Sequence, residues 1–255
     1  MSRIWALAAS TVRELVRDKV LYSILFFAAL LLLVSLAMKE ITIGDSDKVV
    51  RGVALAGISA MGSVIAVFLG VQLVHKEIER KTIYTLASKP IPRWQILLGK
   101  YLGLWLTLLL ELGILTVFYT LIVGSRQGLP SSGVYLAIGM LMVELSLLTA
   151  WSTLFSTFAS PLMASAYSIC VYLIGHFTDD LQAFGEASDN PSFKLVADVV
   201  YRVLPNLELF NIRTEAVLNI PVPAGELGWA VLYGLGYTTV VLAVAVAVFE
   251  RRDFK

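Results

Sequence analysis

The sequence predicts an all-α integral membrane protein with six transmembrane helices, and three observations carry that expectation. Apolar residues make up 58% of the 255 and charged residues only 15%, where a typical soluble domain has about 25% charged. The apolar residues come in blocks, and six blocks reach the roughly 17–25 residues that a helix needs to cross a bilayer. Leu, Val and Ala run through them without strict alternation. That does not fit barrel strands, and backbone groups in lipid must pair within a helix or a closed barrel. The spans are expected near 20–38, 53–74, 101–123, 134–156, 161–177 and 228–249. Residues 1–255 read as a single transmembrane domain.

Before the first span, residues 1–19 read as an amphipathic helix lying at the membrane interface. Ile4, Leu7, Ala8, Val12, Leu15 and Val16 recur at helical spacing, Arg3, Arg13, Glu14 and Arg17 take the other side, and Trp5 suits the headgroup boundary. The apolar run here is too short for a secretory signal. Residues 39–52 form a short loop of mixed charge. In the second span Gly62, Ala66 and Gly70 recur every four residues, and Gly99 and Gly103 repeat the spacing at the start of the third. Small residues on one face let a neighbouring helix approach closely. Residues 124–133 are a turn. Spans four and five meet at Ser156–Pro161, with Pro161 suited to a first helical turn, where its missing N–H is not needed. Cys170, the sole cysteine, lies inside span five as a small packing residue, so no disulfide forms within the chain.

The segment 178–227 holds 50 residues, eight acids and three cations. A structureless loop of that size is unusual. A helix is expected near 191–204, ended by Pro205, and a second from Leu207 to Leu218, with Pro221 and Pro223 breaking the chain before span six. This is a helical external cap between spans five and six, and a possible docking surface for an external protein.

Net charge is +1, which gives no support for nucleic-acid binding. The placement of charge is more informative. With both termini inside, 13 of the 20 Lys and Arg fall on inner segments and seven on outer ones, while 11 acids lie outside and six inside. Cytoplasmic loops carry the excess of Lys and Arg, so both termini are placed in the cytoplasm.

Glu111 and Glu144 sit near the middle of spans three and four. A carboxylate at bilayer depth costs a few kcal/mol. Such residues either serve a proton, ion or substrate path or lock helices together. The two spans are antiparallel neighbours, so the pair can share a proton if close. No Lys, Arg or His is expected at their depth. His176 is placed at the outer end of span five and His75 on the opposite face, which excludes a two-histidine metal site. No Walker A motif is present: Gly99-Lys100 lacks the earlier Gly and is followed by Tyr101. No nucleophile–base set supports an enzyme.

The most informative stretch is the basic loop 75–100. Ile78, Ile83, Leu86 and Ala87 supply an apolar side from Val74 to Ala87, and Glu77, Glu79, Arg80 and Lys81 supply charge. Lys89-Pro90-Ile91-Pro92 cannot continue a helix, and a new helix opens near Arg93 and runs into span three. Two short helices around a rigid Pro corner make a compact cytoplasmic knob.

These residues carry a resemblance. Glu79-Arg80-Lys81-Thr82, then Leu86-Ala87-Ser88-Lys89-Pro90, Arg93 and Ile96-Leu97-Leu98-Gly99-Lys100 resemble the cytoplasmic loop of ABC-2 type transporter permeases, with Lys81 where Gly often stands. Leu204-Pro205-Asn206-Leu207-Glu208-Leu209-Phe210-Asn211 resembles the branch that includes the copper-enzyme maturation permeases. The resemblance implies the transmembrane subunit of an ATP-driven exporter in the inner (plasma) membrane. It implies a second permease chain, identical or not, and two copies of a separate ABC ATPase, which carry ATP and Mg; this chain holds no cofactor. Residues matching 75–92 form the coupling helix that enters the ATPase, with Glu77, Ile78, Glu79, Arg80, Lys81, Thr82, Ile83, Leu86 and Pro90 at the contact. Arg93, Trp94 and Lys100 anchor the return helix at the headgroups, and Glu111 and Glu144 are pathway residues. Two other readings compete: a stand-alone proton-coupled transporter using Glu111 and Glu144, and a membrane scaffold that transports nothing.

Overall fold

A computed structural model describes residues 2–17, 22, 25–26, 28–30, 32–34, 45–79, 92–127, 129–188 and 190–251, and the described residues form helices and turns with no strand. Helix α1 is Ser2–Val16, α2 Ser46–Glu79, α3 Arg93–Gln127, α4 Ser132–Ser156, α5 Pro161–His176, α6 Thr178–Ala187, α7 Pro191–Val203, α8 Arg213–Leu218 and α9 Ala224–Arg251, with a 3-10 turn at Glu208–Phe210. Of the first expected span, the described positions 22, 25–26, 28–30 and 32–34 are helical; the others lie outside the described residues.

Four of these helices are long and apolar enough to cross a membrane: α2, α3, α4 and α9. The fifth expected span, α5, has only 16 residues. At 1.5 Å per residue that is about 24 Å, short of a hydrocarbon core of about 30 Å. The longest two go the other way. Helix α2 has 34 residues and α3 has 35, so each is about 50 Å long and overruns the core.

The overrun revises two boundaries. Helix α2 begins at Ser46, so the expected loop 39–52 is shorter. The Asp45 carbonyl accepts the N–H groups of Lys48 and Val49, and the Asp45 side chain bonds Lys48 Nζ at 2.6 Å. At its other end α2 continues unbroken to Glu79, so residues 74–79 extend span two rather than starting a separate helix. Residues 80–91 lie outside the described residues. The return helix opens at Arg93, after Pro92, as its proline corner requires.

Glycines set how closely the helices approach. A Cβ on Gly62 would stand 2.9 Å from Leu145, and one on Gly70 only 2.5 Å from Ser152 Cβ, so α2 and α4 run parallel in contact. Ala66 between them is fully buried. Gly99 and Gly103 receive α1: a Cβ there would meet Leu7 at 2.8 Å and Thr11 at 2.6 Å. The α1 face holding Ala8, Thr11 and Leu15 is therefore buried on α3, and Trp5 stays 65% exposed. The small-residue spacings mark these contacts correctly. Cys170 does not pack inside; it is exposed on α5. Helix α3 meets the antiparallel α4 through Ser146, whose carbonyl accepts from Tyr101 Oη at 2.9 Å and whose Oγ accepts from Trp105 Nε1 at 2.8 Å.

The segment after α5 differs from expectation in two ways. An extra helix, α6, fills 178–187, and it packs on α7 through Gly185, where a Cβ would lie 2.6 Å from Ala197. Helix α7 starts at Pro191, with Asn190 Oδ1 accepting the Ser192 N–H at 3.0 Å, and ends before Pro205 as the sequence requires. The expected single helix 207–218 is instead a 3-10 turn followed by α8. The break has a local cause. Asn206 Oδ1 takes the Glu208 N–H, which holds a tight turn, and Asn211 ends it. Asn219, with φ 55°, closes α8 in the left-handed region.

Candidate functional site

The loop end of the bundle, where α2 and α3 meet 80–91, holds the sequence-derived docking residues. Arg80, Lys81, Thr82, Ile83, Leu86 and Pro90 lie outside the described residues. Glu77, Ile78 and Glu79 are on the last turns of α2, and Arg93 opens α3. Trp94 is 39% exposed. Lys100 departs from its expected place at the headgroups. It is buried where α1 covers α3, in a recess shared with Thr11, Glu14, Leu15, Leu69 and Gln72. The cause is Gly99 and Gly103, which draw α1 over that face.

The opposite end, formed by α6, α7, the 3-10 turn and α8, is the cap end. Its centre is the segment 205–210, folded inward rather than lying across the top. Leu207 and Phe210 are each 1% exposed. The Leu207 N–H donates to the Gly175 carbonyl at 2.8 Å. The Asn206 N–H donates to Tyr233 Oη at 3.1 Å, and Asn206 Nδ2 to Asp179 Oδ1 at 2.7 Å. Tyr237 Oη donates to the Val203 carbonyl. A Cβ on Gly234 would stand 2.9 Å from Phe210 Cζ, so glycines on α5 and α9 make room for the two apolar plugs.

Beneath this segment lies a recess lined by Leu55, Ile58, Ser59, Leu141, Glu144, Phe210, Asn211 and Arg213 among others. It has room for about one water-sized group. Above it opens a groove of about 430 Å³, lined by Gly52, Ala56, Asn211, Arg213, Thr214, Val217 and Leu218. Asn211 and Arg213 belong to both walls. Arg213 is oriented by a relay: its Nε donates to Asn211 Oδ1 at 2.6 Å, and Asn211 Nδ2 donates to Glu208 Oε1 at 2.9 Å.

Glu144 is 3% exposed, and its Oε1 lies 3.5 Å from His176 Nε2. Neither atom has a hydrogen-bond partner. His176 Nδ1 faces the Tyr172 carbonyl at 3.0 Å. A carbonyl only accepts, so Nδ1 carries the hydrogen, and Nε2 is the ring atom turned toward the carboxylate, within ion-pair distance of it. This corrects the expectation that no cationic or imidazole group lies at the depth of Glu144. Counted from the shared turn at 157–160, Glu144 is 12 residues up α4, about 18 Å, and His176 is 15 residues up α5, about 22 Å. The shortness of α5 keeps its last residue near that depth. Counting from the shared turn rather than from the outer boundary gives the depth, and the packing of α5 beside α4 decides that His176 is the residue facing Glu144.

Glu111 is brought to a similar level but not to the same site. The Trp105–Ser146 and Thr120–Tyr135 contacts fix the register of α3 on α4 and set Glu111 within about one turn of Glu144. Both Glu111 oxygens are buried without a hydrogen-bond partner, so no hydrogen-bonded carboxyl pair forms. Arg213, Ser59 and the glycines at 175 and 234 were not singled out by sequence reading, and Asn211 only as the end of a family motif, because nothing local marks a residue that a folded-in loop carries to a buried carboxylate.

Comparison with known families is clear over almost the whole chain. The family model described as ABC-2 family transporter protein matches residues 5–254. A search of the curated proteins finds no match.

Proposed function

This chain belongs to the ABC-2 family of transporter proteins, and from that premise we propose that it is the transmembrane subunit of an ATP-driven exporter, coupling a separate ATPase to substrate movement. The chain is a multi-pass membrane protein with long apolar helices, and permeases of this family work in the bilayer with an ABC ATPase. In our reading six spans cross the inner (plasma) membrane, the short α5 by local thinning of the bilayer, with both termini in the cytoplasm, the cap end faces out, and a second permease chain completes the path. Two ATPase subunits grip the loop end. Ile78, Ile83 and Leu86 enter the ATPase with Pro90 fixing the corner, and Glu77, Glu79, Arg80, Lys81 and Thr82 make polar contacts. ATP and Mg bind on the partner.

The observation that carries this reading is the family match over residues 5–254. The length of α2 and α3 supports it, because two helices of about 50 Å are longer than the hydrocarbon core and can project past it. Helix α1, seated on Gly99 and Gly103, braces the root of the return helix. A push on the loop then moves α3 and α1 as one body. Differential affinity of ATP for two states of the assembly supplies the work.

The test is co-purification of the ATPase with the tagged permease. Ile83→Asp with Leu86→Asp should cut ATPase recovery at least about tenfold while membrane insertion stays normal, since a buried apolar contact becomes a buried charge. Undiminished recovery would refute the docking assignment. Failure of the wild-type permease to retain any ATPase would refute the coupled-exporter reading altogether.

A further inference from the structure

We propose that Glu144 and His176 bind one proton between them and that this proton latches the inward-folded segment 205–210, so that its release opens the cap end. The inference goes beyond the exporter reading and involves no ATPase. It starts from two buried atoms. Glu144 Oε1 lies 3.5 Å from His176 Nε2, within ion-pair distance, and neither atom has another partner among the described residues. With Nδ1–H given to the Tyr172 carbonyl, the unprotonated pair sets a carboxylate oxygen against a ring lone pair, away from water. One proton turns that repulsion into a charge-assisted hydrogen bond, whichever of the two atoms carries it.

The pair stands where the end of α5 carries the segment. On one side of His176, the Gly175 carbonyl accepts the Leu207 N–H at 2.8 Å. On the other, Asp179 Oδ1 accepts from Asn206 Nδ2 at 2.7 Å. Phe210, three residues beyond Leu207, lines the recess together with Glu144. Helices α4 and α5 are joined through the turn at 157–160, and the pair is a polar tie near their far ends. When the tie is lost, the end of α5 moves away with Leu207 and Asn206, and the recess opens into the groove above. Glu144 lines that recess, which has room for about one water, and His176 does not. The proton therefore comes and goes by the carboxyl side.

The surrounding charges leave the pair to itself. Arg213 and Glu208, opposite in sign, act on Glu144 from the cap. Arg213 gives its Nε to Asn211, and Glu208 accepts from the same residue. Glu111 lies on α3, Tyr233 and Tyr237 on α9, Glu215 on α8, and α2 brings Ser59, which does not titrate. Tyr233 and Tyr237 are bonded to Asn206 and Val203, Glu111 is unpartnered, and Asp180, beside Asp179, is exposed. A proton held by two groups is held more tightly than by one. The latched arrangement therefore binds it better than the open one, and raising the pH favours opening. A second proton, at low pH, leaves an imidazolium N–H against the carboxyl and keeps the latch closed.

The test is amide exchange of Leu207 in the full permease, corrected for intrinsic rates, because that N–H is the one the latch holds. One linked proton allows up to about tenfold per pH unit, so wild-type protection should fall at least about tenfold between about pH 6 and about pH 10. Glu144→Gln should keep it within about twofold over the same interval, since a Gln amide N–H gives Nε2 a permanent donor that does not titrate. His176→Ala should leave Leu207 poorly protected at both ends of the interval. In a His75→Gln background His176 is the sole imidazole, and its Nε2 nitrogen resonance should shift where protection is lost. Wild-type protection that does not fall, or an equal fall in Glu144→Gln, overturns the proposal. So does an Nε2 resonance that stays fixed while protection is lost. If one variant fails to fold, the other and the wild-type resonance decide. No ATPase takes part, so the outcome is independent of loop docking.

Discussion

Leu207 sits on Gly175: its N–H donates to the Gly175 carbonyl at 2.8 Å, and a Cβ on that glycine would stand 2.7 Å from Leu207 Cγ. This contact holds the inward-folded segment against the last turn of α5, one residue from His176. A methyl group at 175 has no room, because the Pro205 carbonyl closes the other side at 3.0 Å. Gly175→Ala should therefore destabilise the protein by about 1–3 kcal/mol, the usual cost of overpacking. A lowered melting temperature in detergent checks it. An unchanged value would mean that the segment is not wedged there.

The seat of α1 gives a second expectation. A Cβ at Gly103 would meet Thr11 Cβ at 2.6 Å and the Ala8 carbonyl at 2.8 Å. Gly103→Val should lift α1 from α3 and expose Ala8 and Leu15, now buried. Cysteine labelling at position 8 should become several-fold faster, with the remaining helices intact. Labelling as slow as in the parent background would count against a docked α1.

Glu111 separates stability from function. It is 2% exposed and neither oxygen has a hydrogen-bond partner. A buried polar group left unpaired costs about 1–3 kcal/mol, so Glu111→Leu should raise the melting temperature. If the residue works in the transport path, the same change should lower permease-coupled ATP turnover, the familiar exchange of activity for stability. A variant that is both less stable and fully active would show that Glu111 is a structural lock.

The start of α2 is expected to loosen in acid. The Lys48 ammonium, bonded to Asp45 at 2.6 Å and adding its charge, holds the Asp45 carboxyl below its ordinary range. A depressed folded-state value means that the stabilisation is present at neutral pH and is lost as pH falls through that value, below about 4. Amide protection at Lys48 and Val49, corrected for intrinsic exchange rates, should drop between pH 6 and pH 3 in the wild type. It should be flat over the same interval in Asp45→Asn. Identical behaviour of the two proteins would dismiss the contact.

Most of the helical layout was legible in the sequence, for reasons that act within a few residues. Long apolar runs made α2, α3, α4 and α9, because lipid leaves backbone groups no partner outside the helix. Pro161 and Pro191 opened helices, Pro205 followed the end of one, and the glycines at 62, 70, 99 and 103 marked where another helix would touch. Tertiary structure alone decided what faces Glu144. His176 comes level with it because α5 has only 16 residues, and Arg213 shares its recess because Asn206 and Asn211 fold a loop back into the bundle. Which residues face one another depends on the contacts of several helices at once. No window of sequence holds that information, and so the spans could be read in advance while the site at their centre could not.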